Sequence, residues 1–222
     1  MEHGAEMQEI VVFLGPSIDR ESARAILDVE YRPPAARGDI ELAARHGAEI
    51  ICLIDGVFFQ ECAVSHREIL FALRSGVTVV GSSSMGALRA AELDTFGMLG
   101  VGEIYRAFRD GRLVADDEVA LVFDPDTWVP LSEPMVNIRA TLSRAEKEGI
   151  IDEKCAEMII KAGRSLYFPD RTYDSVADAA IPFVGRDAAE LFRSFAVEHA
   201  VDQKRIDAIS VLEYVRNISS GE

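Results

Sequence analysis

The pattern of apolar and polar positions predicts three buried strands in the first half of the chain. A strand that is covered on both faces has a nearly continuous apolar run, whereas a strand with one wet face alternates. Such runs occupy residues 10–14, 50–54 and 77–80. Segments with helical spacing separate them, at residues 19–27, 39–46 and 61–73. This order of strands and helices predicts right-handed crossovers and a parallel sheet.

The rest of the chain is mainly helical in its pattern. The further predicted helices cover the second half of residues 81–93 and residues 103–109, 136–147, 152–167, 170–179, 186–199 and 202–217. We therefore predict an α/β fold: a small, mostly parallel sheet flanked by helices, with a helical C-terminal part. The predicted organisation is a flexible tail at residues 1–8, an α/β core at residues 9–133, and a helical region at residues 134–222 packed on that core.

Three segments between these elements have weaker signals. The Pro-rich residues 31–39 predict an irregular loop, and three glycines in residues 96–102 predict a bend. Residues 119–123 are apolar and predict a fourth strand, directly after an acidic triplet at residues 116–118. That triplet is a solvated cap, a salt-bridge partner or a Mg²⁺ site. We expect one of the first two, because no other cluster of ligands supports a metal.

Small and polar residues follow all three predicted strands. Gly15 and Ser17 come after the first strand, Asp55 after the second, and serines after the third, at positions 82–84. The carboxyl ends of parallel strands form the binding crevice of an open sheet, so we expect these residues to line one site. For Asp55 the alternative is a turn or helix-capping role before Gly56.

The serines at positions 82–84 give the strongest chemical signal, because they stand where a strand turns into a helix. The first N–H groups of a helix have no partner within it, and the helix dipole is positive there. This is the layout of a phosphate site, or of a nucleophile with an oxyanion hole. The alternative is a serine that only caps the helix. The segment is neither a G-x-S-x-G motif nor a P-loop.

Composition narrows the class of partner. The chain has 23 Lys and Arg against 38 Asp and Glu, a formal net charge of −15. A domain that binds nucleic acid or an anionic membrane needs a basic face, so we expect neither partner. No long apolar segment or signal sequence is present, which predicts a cytoplasmic protein. The three cysteines form no C-x-x-C pair and predict free thiols, with Cys52 buried. For Cys62 we expect a buried structural role, and the alternative is a reactive thiol. No motif indicates a cofactor.

A serine nucleophile also needs a base. A set of Ser84, His66 and Asp55 is one possibility. Lysine is the other, because a desolvated lysine can act as a base. Among the four lysines, Lys161 borders the apolar stripe of the helix predicted at residues 152–167, so we expect it to be partly buried. That stripe consists of Cys155, Met158, Ile159, Ala162 and Leu166. The alternative is a surface lysine whose stem lies along apolar residues.

Seven motifs between residues 9 and 125 make the chain similar to the TfuA-like protein family, and they occur in the order of that family. The most specific contains Ser-Met-Gly-Ala-Leu-Arg-Ala-Ala-Glu-Leu, at residues 84–93. The others lie at residues 13–17, 32–39, 54–58, 66–70, 97–102 and 116–120. The helical C-terminal third matches only loosely.

This resemblance implies a role in the thioamidation of a peptide backbone. TfuA-like proteins act beside YcaO enzymes, which activate a peptide amide with ATP. They are understood to hydrolyse a thiocarboxylated sulfur-carrier protein of the ThiS type, which releases sulfide. A Ser-Lys pair is the proposed catalytic unit of the family. The alternative is a non-catalytic adaptor that binds a YcaO enzyme and strengthens its hold on the peptide substrate.

Carried onto this sequence, the resemblance makes Ser84 the nucleophile, with Ser83 as the fallback, and Lys161 the base. The backbone N–H groups of Met85 and Gly86 would hold the oxyanion. We expect further contacts with the substrate from the sheet edge and from the matching motif, namely from Gly15, Ser17, Asp55 and Arg89. No metal is implied.

Overall fold

The computed structural model describes residues 9–58 and 62–221. Contacts within the chain divide it into two compact units, one formed by Met1–Val114 with Arg205–Glu222 and the other by Ala115–Lys204. The predicted division after residue 133 separates a sheet-bearing part from a helical part, and it stays a prediction. The predicted tail at residues 1–8 lies outside the described residues.

A five-stranded parallel sheet is the centre of the first unit. In chain order the strands are β1 (Ile10–Phe13), β2 (Glu30–Arg32), β3 (Ile50–Leu53), β4 (Thr78–Ser82) and β5 (Leu99–Val101). Their order across the sheet is β2-β1-β3-β4-β5, and every neighbouring pair is parallel. The predicted α/β fold and the three predicted central strands are confirmed.

The predicted helices are also present. They are α1 (Arg20–Ile26), α2 (Asp39–Arg45), α3 (His66–Arg74), α4 (Met85–Leu93), α5 (Glu103–Arg109), α6 (Met135–Lys147), α7 (Glu153–Ser165), α8 (Tyr173–Val184), α9 (Arg186–His199) and α10 (Gln203–Ser220). At the start of α1 the carboxylate of Asp19 accepts a hydrogen bond from the Ser22 N–H (2.8 Å), as is typical of an N-cap. None of the helices in the described ranges is long and apolar enough to cross a membrane.

Both faces of the sheet are buried, which explains its continuous apolar runs. Val12 and Cys52 share one buried cluster with Val211 and Val215, which recur at helical spacing on α10. Successive residues of a strand point to opposite faces, and Ile51 on the other face is equally buried. The part of α10 after Lys204 therefore belongs to the core of the first unit.

The two edge strands differ from the prediction. β2 lies partly in the Pro-rich segment that was expected to be irregular, and β5 lies in the glycine stretch that was expected to bend. Each has three residues, which is too short to show an apolar pattern. Gly100 in β5 is needed for packing, since a Cβ there would lie 2.3 Å from the ring of Tyr105.

The prediction of a strand at residues 119–123 is wrong. In the described part of the second unit, this segment makes an isolated antiparallel bridge between Phe123 and Pro130. Val119 and Ala120 are buried. The apolar run therefore reflects burial and not strand pairing, a distinction that a short run does not reveal.

The second unit has a helical core built from α6 to α9. Ile138, Leu142, Ile159, Val176 and Phe192 belong to one buried cluster. Ile159 lies on the stripe predicted for α7, so the helical spacing there identified the core-facing side correctly.

The half-buried Glu133 is expected to make the stability of the second unit depend on pH. Burial raises the pKa of its carboxyl above the usual value, and the nearby charge of Asp202 raises it further. Hydrogen bonding from Asn137 and the charge of Lys204 act in the opposite direction and are weaker in sum. The folded protein therefore holds this proton more tightly than the unfolded chain. The stabilising contribution of the Glu133 carboxyl is present at pH values below its pKa in the unfolded chain. It is lost as the pH rises through its pKa in the folded protein.

We expect Glu133→Gln to gain stability relative to the wild type as the pH rises from about 4 to 8, because the buried negative charge is then absent. Thermal unfolding of both proteins across this range measures the difference. Glu157→Gln removes an exposed carboxylate from α7 and serves as the control. A difference for Glu133→Gln that stays constant with pH would contradict the expectation.

Candidate functional site

The carboxyl ends of β1, β3 and β4 bring the predicted polar residues to one edge of the first unit. β1 and β3 are neighbours in the sheet, and the chain continues from them to strands on opposite sides. In open α/β sheets the binding crevice lies at such a reversal of strand order. The topology therefore places the loops that follow these strands where a ligand site is expected.

Asp55 joins the loop after β3 to the loop after β1. Its Oδ2 accepts hydrogen bonds from the N–H groups of Gly15 (2.9 Å) and Ser17 (3.2 Å). Its Oδ1 accepts one from the Ser17 hydroxyl (2.7 Å). Asp55 and Ser17 are both 2% exposed. The carboxylate thus does more than a local turn or cap, because it fixes a loop that is 38 to 40 residues away in sequence.

A tight turn connects β4 to α4. The Ser84 N–H donates to the Ser82 carbonyl (2.8 Å), and Ser83 between them has φ +62°. This is the arrangement of a γ-turn with a positive central φ, which is rare and strained. Such a conformation in a residue other than glycine costs on the order of 1–3 kcal/mol and persists only where the surroundings enforce it.

Hydrogen bonds hold this turn on both sides. The hydroxyl of Ser82 donates to the carbonyls of Val101 (2.8 Å) and Asp207 (3.0 Å). The hydroxyl of Ser83 donates to the Ser17 hydroxyl (3.0 Å). Ser82 and Ser83 are fully buried, so neither presents its oxygen at the surface.

Ser84 has a different environment. It occupies the N-cap position of α4, but its side chain makes no capping hydrogen bond. Across residues 9–58 and 62–221 we find no hydrogen bond from its hydroxyl, and the residue is 7% exposed. The structure therefore does not support the interpretation of Ser84 as a simple helix cap. Its hydroxyl is recessed and free of local bonds.

The start of α4 packs directly on the sheet. A Cβ on Gly86 would lie 1.7 Å from the Leu53 carbonyl oxygen, and one on Gly81 would lie 2.2 Å from the Gly86 carbonyl oxygen. The Gly86 N–H donates to the Ile54 carbonyl (3.2 Å), so this amide is occupied and does not match its expected role as an oxyanion donor. Met85 is buried in a small apolar cluster.

The alternative set of Ser84, His66 and Asp55 is not assembled as a hydrogen-bonded triad in the described residues. The Nε2 atom of His66 lies 2.7 Å from Glu92, and His66 is exposed. Arg89 donates to the Val64 carbonyl (2.8 Å) and to Glu92 (2.7 Å), which ties α4 to the segment before α3. The hydroxyl of Ser84 shows no bond to a histidine in the described ranges. A contact between Arg89 and the substrate stays a prediction.

The lysines differ sharply in exposure. Lys161 is exposed on α7, so the expected partial burial is wrong. Lys204 is 2% exposed, and its Nζ donates to the Val119 carbonyl (3.2 Å). Sequence reasoning passed over Lys204, although the signal was present. It precedes Ala208 and Val211 at spacings of four and seven, on the buried stripe of α10.

The remaining candidate groups have structural roles or simple environments. Cys52 is buried, which raises the pKa of its thiol to about 12 and makes it unreactive. Cys62 is exposed, contrary to expectation. In the acidic triplet, Glu118 pairs with Arg139 (2.7 Å) and Asp117 pairs with Arg171 (2.9 Å), as salt-bridge partners do. The described residues contain no group of three or more His, Cys, Asp or Glu arranged to hold a metal ion.

Comparison with protein families identifies a match. The model of the family described as TfuA-like protein matches residues 55–172, slightly more than half of the chain. The chain therefore belongs to the TfuA-like family. The matched region contains Asp55, the three serines and Lys161, but neither Ser17 nor Lys204. Compared with the resemblance seen in the sequence, it begins later and extends further into the helical part. No curated protein matches the chain.

Proposed function

We propose that this protein hydrolyses a thiocarboxylated sulfur-carrier protein of the ThiS type and thereby supplies sulfide to a YcaO enzyme that thioamidates a peptide backbone. The observation that carries the proposal is the state of Ser84, a serine at a strained turn between strand and helix. Within the described residues its hydroxyl neither caps the helix nor bonds to a neighbour. Membership of the TfuA-like family supports the YcaO context. A cytoplasmic location is part of the proposal.

The proposed reaction has two steps. The Ser84 oxygen attacks the carbonyl carbon of the carrier's C-terminal thiocarboxylate, and the base accepts the serine proton. The C–S bond then breaks, the base passes the proton to the departing sulfur, and hydrosulfide is released. The carrier's acyl group remains bound to Ser84 as an ester. Water hydrolyses this ester and returns the carrier with an ordinary carboxylate. Because a thiocarboxylate is already anionic at neutral pH, the proton delivered to sulfur matters for its departure.

The start of α4 provides electrostatic support for this step. Negative charge develops on the carbonyl oxygen during attack, and the positive end of a helix dipole stabilises such charge. We propose the Met85 N–H as the donor to this oxygen, since the Gly86 N–H already donates to Ile54. Asp55, Gly15 and Ser17 remain proposed contacts of the same edge, and Ser83 remains the fallback nucleophile.

Lys161 is the base that the resemblance implies. It lies within the region that matches the family, and it is exposed. The proposal keeps Lys161 as the base, since a lysine can accept a proton from a serine nucleophile.

The test is sulfide release from a ThiS-type carrier with a C-terminal thiocarboxylate. The wild-type protein should release sulfide, whereas the same carrier with an ordinary carboxylate should give none. Loss of the base should lower kcat by about 10²–10⁴-fold. Lys161→Met tests the base, and Lys154→Met, which replaces an exposed lysine on the same helix, is the matched control.

The outcomes separate the alternatives. A loss in Lys161→Met but not in Lys154→Met, with folding intact, supports Lys161 as the base. Sulfide release that no lysine variant reduces would contradict the Ser-Lys unit. If the wild type releases no sulfide yet still binds a YcaO enzyme, the hydrolase proposal fails and the adaptor is the better description.

A further inference from the structure

A chain of buried hydrogen bonds leads from the Asp55 carboxylate to the turn that carries Ser84. The Ser17 hydroxyl donates to Asp55 (2.7 Å), and the Ser83 hydroxyl donates to Ser17 (3.0 Å). All three residues are at most 2% exposed. Asp55 is itself held by the N–H groups of Gly15 and Ser17. The chain therefore has a rigid anchor at one end and the strained turn at the other.

The direction of these bonds follows from the chemistry of the groups. The Asp55 carboxylate accepts from two N–H groups and from the single hydroxyl hydrogen of Ser17, which therefore points to Asp55. The Ser17 oxygen is then left to accept, and the hydrogen of Ser83 points to it. A carboxylate strengthens such bonds, and bonds in a chain polarise one another. The Ser83 proton is thus directed away from Ser84.

This arrangement gives the two neighbouring serines different roles. Ser83 is fully buried and hydrogen-bonded at φ +62°, whereas the hydroxyl of Ser84 shows no hydrogen bond in the described part of the chain. A positive φ at a serine is unfavourable, so the neighbouring contacts must enforce it. We propose that Asp55 and Ser17 are positioning residues: they act through Ser83 to hold the turn that presents the Ser84 hydroxyl. The inference deepens the proposed function and rests on it for its catalytic meaning.

The kinetic test uses Ser17→Ala and Asp55→Asn. The first removes the middle of the chain. Asp55→Asn keeps the size of the side chain but replaces one oxygen, which accepts hydrogen bonds, by an NH₂ group, which donates them. A small displacement of a reacting group can cost about 10²-fold, so we expect kcat for sulfide release to fall by about 10–100-fold while KM stays within about threefold. A loss confined to KM would overturn the proposal.

A matched control separates positioning from stability. Tyr31→Phe removes another buried hydroxyl of the first unit, one that donates to the carbonyls of Ala23 (3.0 Å) and Leu27 (2.7 Å). It should lower the melting temperature by an amount similar to Ser17→Ala and leave kcat unchanged. If Ser17 and Ser83 act as one unit, the double variant Ser17→Ala/Ser83→Ala should be no slower than either single variant. Additive losses in kcat would contradict a shared role.

A second readout does not depend on the carrier reaction. In a Cys62→Ser/Cys155→Ser background, Ser84→Cys introduces a thiol whose rate of alkylation by iodoacetamide reports how position 84 is presented. The native Cys52 is buried and stays silent. Adding Ser17→Ala should slow this alkylation at least about threefold, whereas adding Tyr31→Phe should not. Equal rates with and without Ser17→Ala would overturn the positioning role. If the wild type releases no sulfide but these rates differ, the proposed function fails and the positioning role stands.

Discussion

Ser84→Ala should lower kcat for sulfide release by at least about 10³-fold, because it removes the proposed nucleophile. Ser83, the fallback nucleophile, is fully buried and donates its hydrogen bond to Ser17, so we do not expect it to restore the rate. The turn itself depends on the backbone and on Ser83, so the substitution should leave the fold unchanged. The measurement is sulfide release under saturating thiocarboxylated carrier, with circular dichroism and a melting curve for each protein.

The comparison with Ser83→Ala makes this result specific. Ser83→Ala removes one link of the hydrogen-bonded chain and should cost about 10–100-fold, clearly less than Ser84→Ala. Binding to a YcaO enzyme should survive both substitutions. Release by Ser84→Ala within about tenfold of the wild type would contradict the nucleophile and favour the adaptor. A larger loss in Ser83→Ala than in Ser84→Ala would exchange the proposed roles of the two serines.

The central strands were predictable because a strand buried on both faces has a continuous apolar run in the sequence. β1 and β3 are apolar at every position, as strands covered on both faces are. β2 and β5 were not predictable in this way, since a three-residue edge strand is defined by its partner and not by its own pattern. The segment at residues 119–123 shows the opposite error, an apolar run that is buried without pairing to a strand.

The position of the candidate site was predictable for a different reason. Once a parallel sheet is expected, the ends of its strands must share an edge, so Ser17, Asp55 and the serines were expected to be close. What remained open was which hydroxyl would be bonded. That depends on the positive φ of Ser83, and a serine gives no sequence signal for such a conformation.

The lysines show how much burial depends on contacts that a stripe alone does not define. Lys161 is next to apolar residues in the sequence of α7 and is still exposed. Adjacent residues of a helix point in different directions, so the neighbour of a core-facing residue can face the solvent. Lys204 lies on the apolar stripe of α10 itself and is buried. A position on the apolar stripe therefore predicted the burial of a lysine better than a position beside the stripe.

Arg171→Met should destabilise the second unit by about 3–5 kcal/mol, because several acceptors lose a charged donor and each buried one left unsatisfied costs about 1–3 kcal/mol. Arg171 is fully buried. Its guanidinium donates to the carboxylate of Asp117 (2.9 Å) and to the carbonyls of Gly163 and Leu166 (3.2 Å each). Methionine fills a similar volume but leaves these acceptors without their donor. For a unit of this size the loss should lower the melting temperature by more than about 10 °C.

The single tryptophan of the chain makes this effect measurable for the second unit by itself. Trp128 lies within Ala115–Lys204, so its fluorescence follows the unfolding of that unit. Arg164→Met is the matched control: this arginine is exposed on α7 and lies 3.8 Å from Glu118, so its loss should cost no more than about 0.5 kcal/mol. Arg171→Lys keeps the charge but not the planar set of donors, so it should recover only part of the stability. If Arg171→Met unfolds within about 1 kcal/mol of the wild type, the buried guanidinium does not organise the second unit, and the apolar contacts of α6 to α9 alone account for its stability.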